Sequence, residues 1–214
     1  MARDQSWSVI GTVAALAERH GQRCGGPVIF TGLVLGLGVV QLASGPLGQT
    51  SRFSLELLIL LVLQLVGPML VALLALALLL PLWLERVQRR GGSDWKASGP
   101  AAALVGFLLL LLFFVATVCG GVLASPRADL VGEFGELLEG VLLMDVGHAC
   151  LRAGVFLAMV CLWSQWRMAQ GLRRQRDAGL LVSDQLAEGL ILLLAMKLLW
   201  ITLVDPLYFA GSAP

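Results

Sequence analysis

The chain has 214 residues, of which 58% are hydrophobic and 14% are charged, and its formal net charge at pH 7 is +1. Water-soluble domains are about 45–50% apolar and about 25% charged, so one soluble core has no room for this many apolar side chains. The near-zero net charge argues against a nucleic-acid partner. The composition predicts an all-α polytopic membrane protein whose main partner is the lipid bilayer.

The N-terminal segment, residues 1–27, is predicted to contain a short amphipathic helix on the cytoplasmic surface of the membrane. Apolar residues recur at helical spacing at Trp7, Ile10, Val13 and Ala17, and Gly21 is a typical helix end. This helix is too short and too polar to cross a bilayer, so we expect it to lie at the interface.

The remainder of the chain, residues 28–214, is predicted to form one domain of five transmembrane helices, because five apolar segments approach or exceed the roughly 20 residues that a span requires. The segments are residues 28–47, 55–84, 100–124, 141–163 and 185–207.

Glycine and proline indicate special positions in the first two spans. Gly32 and Gly36 form a GxxxG spacing, which lets two helix backbones approach closely in lipid and predicts a packing contact. The second segment is longer than the bilayer is thick, so it must tilt or bend. Gly67 and Pro68 predict the hinge, because a proline ring displaces the carbonyl four residues earlier.

The basic residues predict the orientation of the chain. Eleven of the fifteen Lys and Arg residues fall in residues 1–27, 85–99 and 164–185. Cytoplasmic segments are enriched in these residues, so we expect the N-terminus in the cytoplasm and the C-terminus outside. The same bias is typical of a bacterial inner membrane.

The fourth span contains a polar stripe of Asp145, His148 and Arg152. In an α-helix these three positions fall within about 60° of one another. A charged group near the middle of a bilayer costs roughly 2.5–3.5 kcal/mol, so the stripe should face protein or water. It is a candidate ion path, and the alternative is an Asp145–Arg152 ion pair that only stabilises helix packing.

Two further polar residues are predicted near the middle of the membrane. From the rise per residue, Gln64 of the second span and Lys197 of the fifth lie about 14 Å and about 16 Å from the ends of their helices. We include both in the candidate path. Acidic residues are expected toward the outer side instead, and the candidates there are Glu56, Glu139 and Asp205.

These residues favour a subunit of a larger energy-coupling complex that supports proton, ion or electron transfer beside other membrane subunits. The alternatives are a transporter or permease component for an anionic solute or lipid, and a cofactor-binding or structural assembly subunit. His148 is a candidate ligand for haem or chlorophyll, but the spacing of Cys and His residues predicts no other metal site and no particular cofactor. We expect no catalytic activity of the chain's own.

Overall fold

The computed structural model describes residues 2–44, 66–90, 95–124, 143–175 and 177–204, and the regular structure in these ranges is helical. Five of the described helices are long and apolar enough to cross a membrane, which confirms the all-α prediction and indicates a multi-pass membrane protein. The helices are α1 (Ala2–Ser44), α2 (Gly67–Arg90), α3 (Trp95–Ala124), α4 (Leu143–Arg173) and α5 (Ala178–Leu199), followed by a π-helical turn (Trp200–Val204).

The first helix is longer than the sequence predicts. The expected end at Gly21 is absent, and α1 continues through Pro27, so the predicted boundary at residue 27 lies inside a helix. The reason is packing, because one buried stripe crosses the proline without interruption at Ala17, His20, Cys24, Val28, Gly32, Gly36 and Val40. At 1.5 Å per residue, the 43 residues of α1 extend about 64 Å, so part of the helix must project beyond the roughly 30 Å hydrocarbon core.

The polar segments between the later spans are also largely helical. α2 extends to Arg90 and α3 begins at Trp95, so helices enter the basic segment of residues 85–99 from both sides. α4 extends to Arg173 and α5 begins at Ala178, so the basic segment of residues 164–185 is also largely helical. Arginine and glutamine favour helix, so a helix can continue past the end of its apolar segment. Hydrophobicity therefore predicts where a span lies, but it does not predict where the helix ends.

Contacts between helices show that their directions alternate. Gly32 lies against Phe113 and Gly36 against Thr117, so α1 and α3 run parallel. Antiparallel neighbours are α3 with α4, α4 with α5, and α1 with α2. The N-terminal ends of α1, α3 and α5 therefore lie at the same end of the bundle as the C-terminal ends of α2 and α4.

Glycines allow α3 to approach two neighbours closely. A β-carbon added at Gly32 would lie 2.8 Å from the Phe113 carbonyl oxygen, and one at Gly36 would overlap the Thr117 carbonyl. On the other side of α3, a β-carbon at Gly106 would lie 2.7 Å from the Ala153 carbonyl oxygen of α4. Such separations leave no room for a side chain, so α1, α3 and α4 pack backbone against backbone.

Candidate functional site

The polar stripe of α4 begins near the first turn of the helix. Asp145 lies in that turn, where a carboxylate interacts favourably with the positive end of the helix dipole, and it is half-buried. His148 is also half-buried, and Arg152 is only 3% exposed. The stripe therefore becomes more deeply buried from Asp145 to Arg152.

α5 turns a narrow stripe toward the bundle. Its buried residues recur every four positions and are Leu181, Gln185, Gly189, Leu193 and Lys197. This spacing keeps one helix face in contact with α2 and α4, while the rest of α5 is mostly exposed. Lys197 belongs to the inward stripe and is 8% exposed, so its charge-bearing side chain is enclosed by protein.

Trp200 connects the two stripes. Its ring centre lies 5.7 Å from that of His148 and 5.8 Å from that of Phe156, both on α4. Arg152 is four residues from each of these aromatic residues and thus shares their helix face. Lys197 precedes Trp200 by one turn. The α4–α5 interface therefore contains His148 and Trp200, with Arg152 on the same face of α4 and Lys197 on the inward stripe of α5 one turn before Trp200. We call these four residues the interface cluster.

The interface cluster is rich in hydrogen-bond donors. The Trp200 Nε1 atom is buried and makes no hydrogen bond to the described residues. Arginine and lysine side chains are also donors only. Trp200 begins the π-helical turn, a backbone form that is frequent at functional sites. The arrangement is suited to hold or pass a group that accepts hydrogen bonds.

The remaining predicted site residues fall into two groups. Gln64, Glu56, Glu139 and Asp205 lie outside the described residues. Gly67 and Pro68 are buried at the start of α2. The hinge predicted there involves the carbonyl of Gln64, so it stays a prediction. Gly32 and Gly36 lie at the α1–α3 contact.

An ion pair that was not predicted from the sequence joins α4 to α5. The Arg167 Nε atom donates to Glu188 Oε2 at 2.9 Å, and a second Arg167 nitrogen donates to Oε1. Gln185 and Trp163 donate to the same carboxylate at 3.1 Å and 3.4 Å. The signal was present, because opposite charges placed either side of a predicted turn can meet when the two helices fold back on each other.

We expect Glu188→Gln to lower the free energy of unfolding by about 1 kcal/mol, because it removes a two-pronged ion pair that joins two helices. Denaturant titration of the purified protein in micelles measures this change. The matched control is Glu85→Gln, whose partner Arg89 lies one turn away on the same helix. That pair is more exposed and joins no helices, so its loss should cost less; an equal cost would contradict the expectation.

A second contact that the sequence did not indicate joins α3 to α4 inside the bundle. The Ser98 hydroxyl donates to Gln165 Oε1 at 3.1 Å, and the Gln165 amide donates to the Cys161 sulfur at 3.3 Å. All three residues are buried. Buried polar groups are stable in such surroundings when they are hydrogen-bonded to each other, so this group aligns α3 with α4.

Within the described ranges, no three or more His, Cys, Asp or Glu side chains are grouped so that they could bind a metal ion. His148 contacts Trp200 in the interface cluster. Comparison of the chain with protein-family models, curated proteins and solved structures finds no match.

Proposed function

We propose that this chain is an integral membrane subunit of a larger energy-coupling complex, and that its α4–α5 interface supports the transfer of a proton or another ion. The observation that carries the proposal is the burial of Arg152 and Lys197 inside helices apolar enough to span a bilayer. A charged side chain inside a membrane-spanning segment is energetically costly, and by default it indicates a functional pathway.

The neighbours of the two cations favour proton transfer along the interface. His148 and Lys197 both contain a nitrogen that can gain or lose a proton, and the ring of Trp200, one turn after Lys197, lies against that of His148. Asp145 is three residues before His148, at the less buried start of the stripe. These groups provide successive proton sites from the edge of the bundle toward its interior.

A second candidate function is the transport of an anionic solute or lipid. In the part of the chain that the structure describes, the buried Lys, Arg, Asp and Glu side chains are Arg152 and Lys197, and both are cations. The buried Trp200 Nε1 donor adds a third group that an anion could accept from. This observation favours an anion over a metal cation as the transported species.

We propose that the chain lies in a bacterial inner membrane with its N-terminus in the cytoplasm. This orientation is supported by the alternating helix directions, which bring basic residues of four helices to one end of the bundle. Those residues are Arg19, Arg23, Arg86, Arg89, Lys96, Arg167, Arg173 and Arg174. Cytoplasmic ends are enriched in Lys and Arg. Other membrane subunits are proposed partners, since α1 and α5 are the least covered helices of the bundle.

The test measures proton flux into proteoliposomes that contain the Lys197→Met variant together with any subunits that purify with the chain. We expect proton flux, followed with a trapped pH-sensitive dye, to fall at least about tenfold, because methionine keeps the length of the side chain but has no proton site. Lys96→Met is the matched control, since Lys96 is exposed at the start of α3. Unchanged flux through Lys197→Met would exclude the proton pathway.

The same vesicles distinguish the second candidate. Uptake of labelled inorganic and carboxylate anions is compared between the native chain and Arg152→Gln. Loss of anion uptake with proton flux retained would favour anion transport over the proton pathway. If Arg152→Gln left anion uptake unchanged, anion transport through the interface cluster would be excluded.

A further inference from the structure

A pocket of about 710 Å³ lies between the N-terminal half of α1 and the C-terminal end of α2, away from the interface cluster. The residues that define its chemistry are Arg19, His20, Glu85, Arg86 and Arg89, with Leu82 among the apolar lining. The basic side chains recur with helical spacing on α2, so they face the pocket together. We call this the α1–α2 pocket.

The α1–α2 pocket has an excess of positive charge. Three guanidinium groups line it, and the lining includes one carboxylate, that of Glu85. Glu85 is already bound by Arg89 of the next helical turn. Arg19 and Arg86 come from different helices, so their charges converge from opposite walls. An anion between them would interact with both.

His20 supplies an independent indication of a ligand. Its side chain is 3% exposed, and its Nδ1 atom makes no hydrogen bond to the described residues. The ring contacts Trp83 edge-on, with ring centres 6.4 Å apart, which fixes the imidazole at the pocket wall. A buried polar atom without a hydrogen bond is costly, and a ligand that bonds to it would remove that cost.

We propose that the α1–α2 pocket binds a phosphate-bearing group. Arginine guanidinium groups match phosphate oxygens with two parallel hydrogen bonds, and His20 can donate a further one. The pocket lies at the basic end of the bundle, near the point where α1 must leave the bilayer. Basic pockets between helices at a membrane surface bind phospholipid head groups. The same chemistry also fits a free phosphate, and the experiment separates the two sources.

The experiment measures thermal unfolding of the full-length purified chain in micelles free of phospholipid. One arm adds sodium phosphate, with sodium chloride keeping the ionic strength constant. The other arm adds dioleoyl phosphatidylglycerol, with dioleoylglycerol as the probe that has the same chains and no phosphate. A rise in the unfolding temperature with phosphate identifies a soluble ligand, and a rise with the phospholipid alone identifies a head group. No rise with either probe overturns the proposal.

Three variants locate the binding. Arg19→Gln and Arg86→Gln should each weaken binding about tenfold, because each removes a charged hydrogen-bonding group. His20→Phe keeps the aromatic contact with Trp83 but has no ring nitrogen, and it should also weaken binding. Arg174→Gln is the control, since Arg174 is exposed at the end of α4 and outside the pocket. Equal weakening by Arg174→Gln would assign the effect to surface charge and overturn the proposal.

The unfolding temperature of each variant without ligand is recorded in the same experiment. A pocket variant that unfolds at the native temperature and responds less to the probe supports the proposed site. A pocket variant that unfolds at the native temperature and responds fully to the probe contradicts it. Because Arg86 and Arg19 are not fully buried, their replacement by glutamine should leave the fold intact.

Discussion

Gly36→Ala is expected to lower the free energy of unfolding by about 1–3 kcal/mol, the cost of adding a methyl group where a core has no space. The added β-carbon would overlap the Thr117 carbonyl and lie 2.8 Å from the Gly121 amide nitrogen. Both neighbours are backbone atoms of α3, so no side chain can rotate away. α1 must shift from α3, and the close contacts along the interface weaken together.

The measurement is equilibrium unfolding by sodium dodecyl sulfate in mixed micelles, monitored by helical circular dichroism. Gly38→Ala is the matched control, because a β-carbon at Gly38 would meet no atom within 4 Å. That change should be neutral or slightly stabilising, since alanine favours helix over glycine. Equal destabilisation by the two variants would contradict the packing of α1 against α3.

Trp83→Ala is expected to lower the free energy of unfolding by about 2–3 kcal/mol, because it leaves a cavity in the core. Trp83 is fully buried on α2, and its ring contacts His20 of α1. Truncation of a buried tryptophan in a water-soluble core costs about 3–5 kcal/mol through lost transfer energy and an unfilled cavity. In lipid the transfer part is smaller, but the lost dispersion contacts remain.

The same detergent titration measures this change. Trp95→Ala is the control, because Trp95 is 64% exposed at the start of α3, and its removal leaves no cavity. We expect it to change the unfolding free energy by less than about 1 kcal/mol. If Trp83→Ala were as mild as the control, the described contact between α1 and α2 would be wrong.

The helical class and the membrane-spanning segments follow from local composition. Lipid provides no hydrogen bonds for the backbone, so a long apolar segment must form its hydrogen bonds internally as a helix. Helical spacing also puts Asp145, His148 and Arg152 on one helix face. Burial of Arg152 agrees with the expectation that a charge in such a segment avoids lipid.

Helix ends were less predictable, because the limits of a helix and of an apolar segment have different causes. Pro27 and Gly21 are typical helix boundaries in water, yet α1 crosses both. Contacts at Cys24 and Val28 on either side of the proline stabilise the continuous helix. Local residue preferences of this size are weak compared with the packing of several helical turns.

Composition and helical spacing were enough to predict a set of apolar helices and to put the ionisable residues of the fourth span on one helix face. Which helices are neighbours became known from the fold. It joins Arg167 to Glu188 and Trp200 to His148, and it lines one pocket with both Arg19 and Arg86. Lipid and a neighbouring helix are both apolar, so a hydrophobic pattern does not distinguish them. Neighbours are selected by shape, through glycines that permit close approach and through polar groups that require partners.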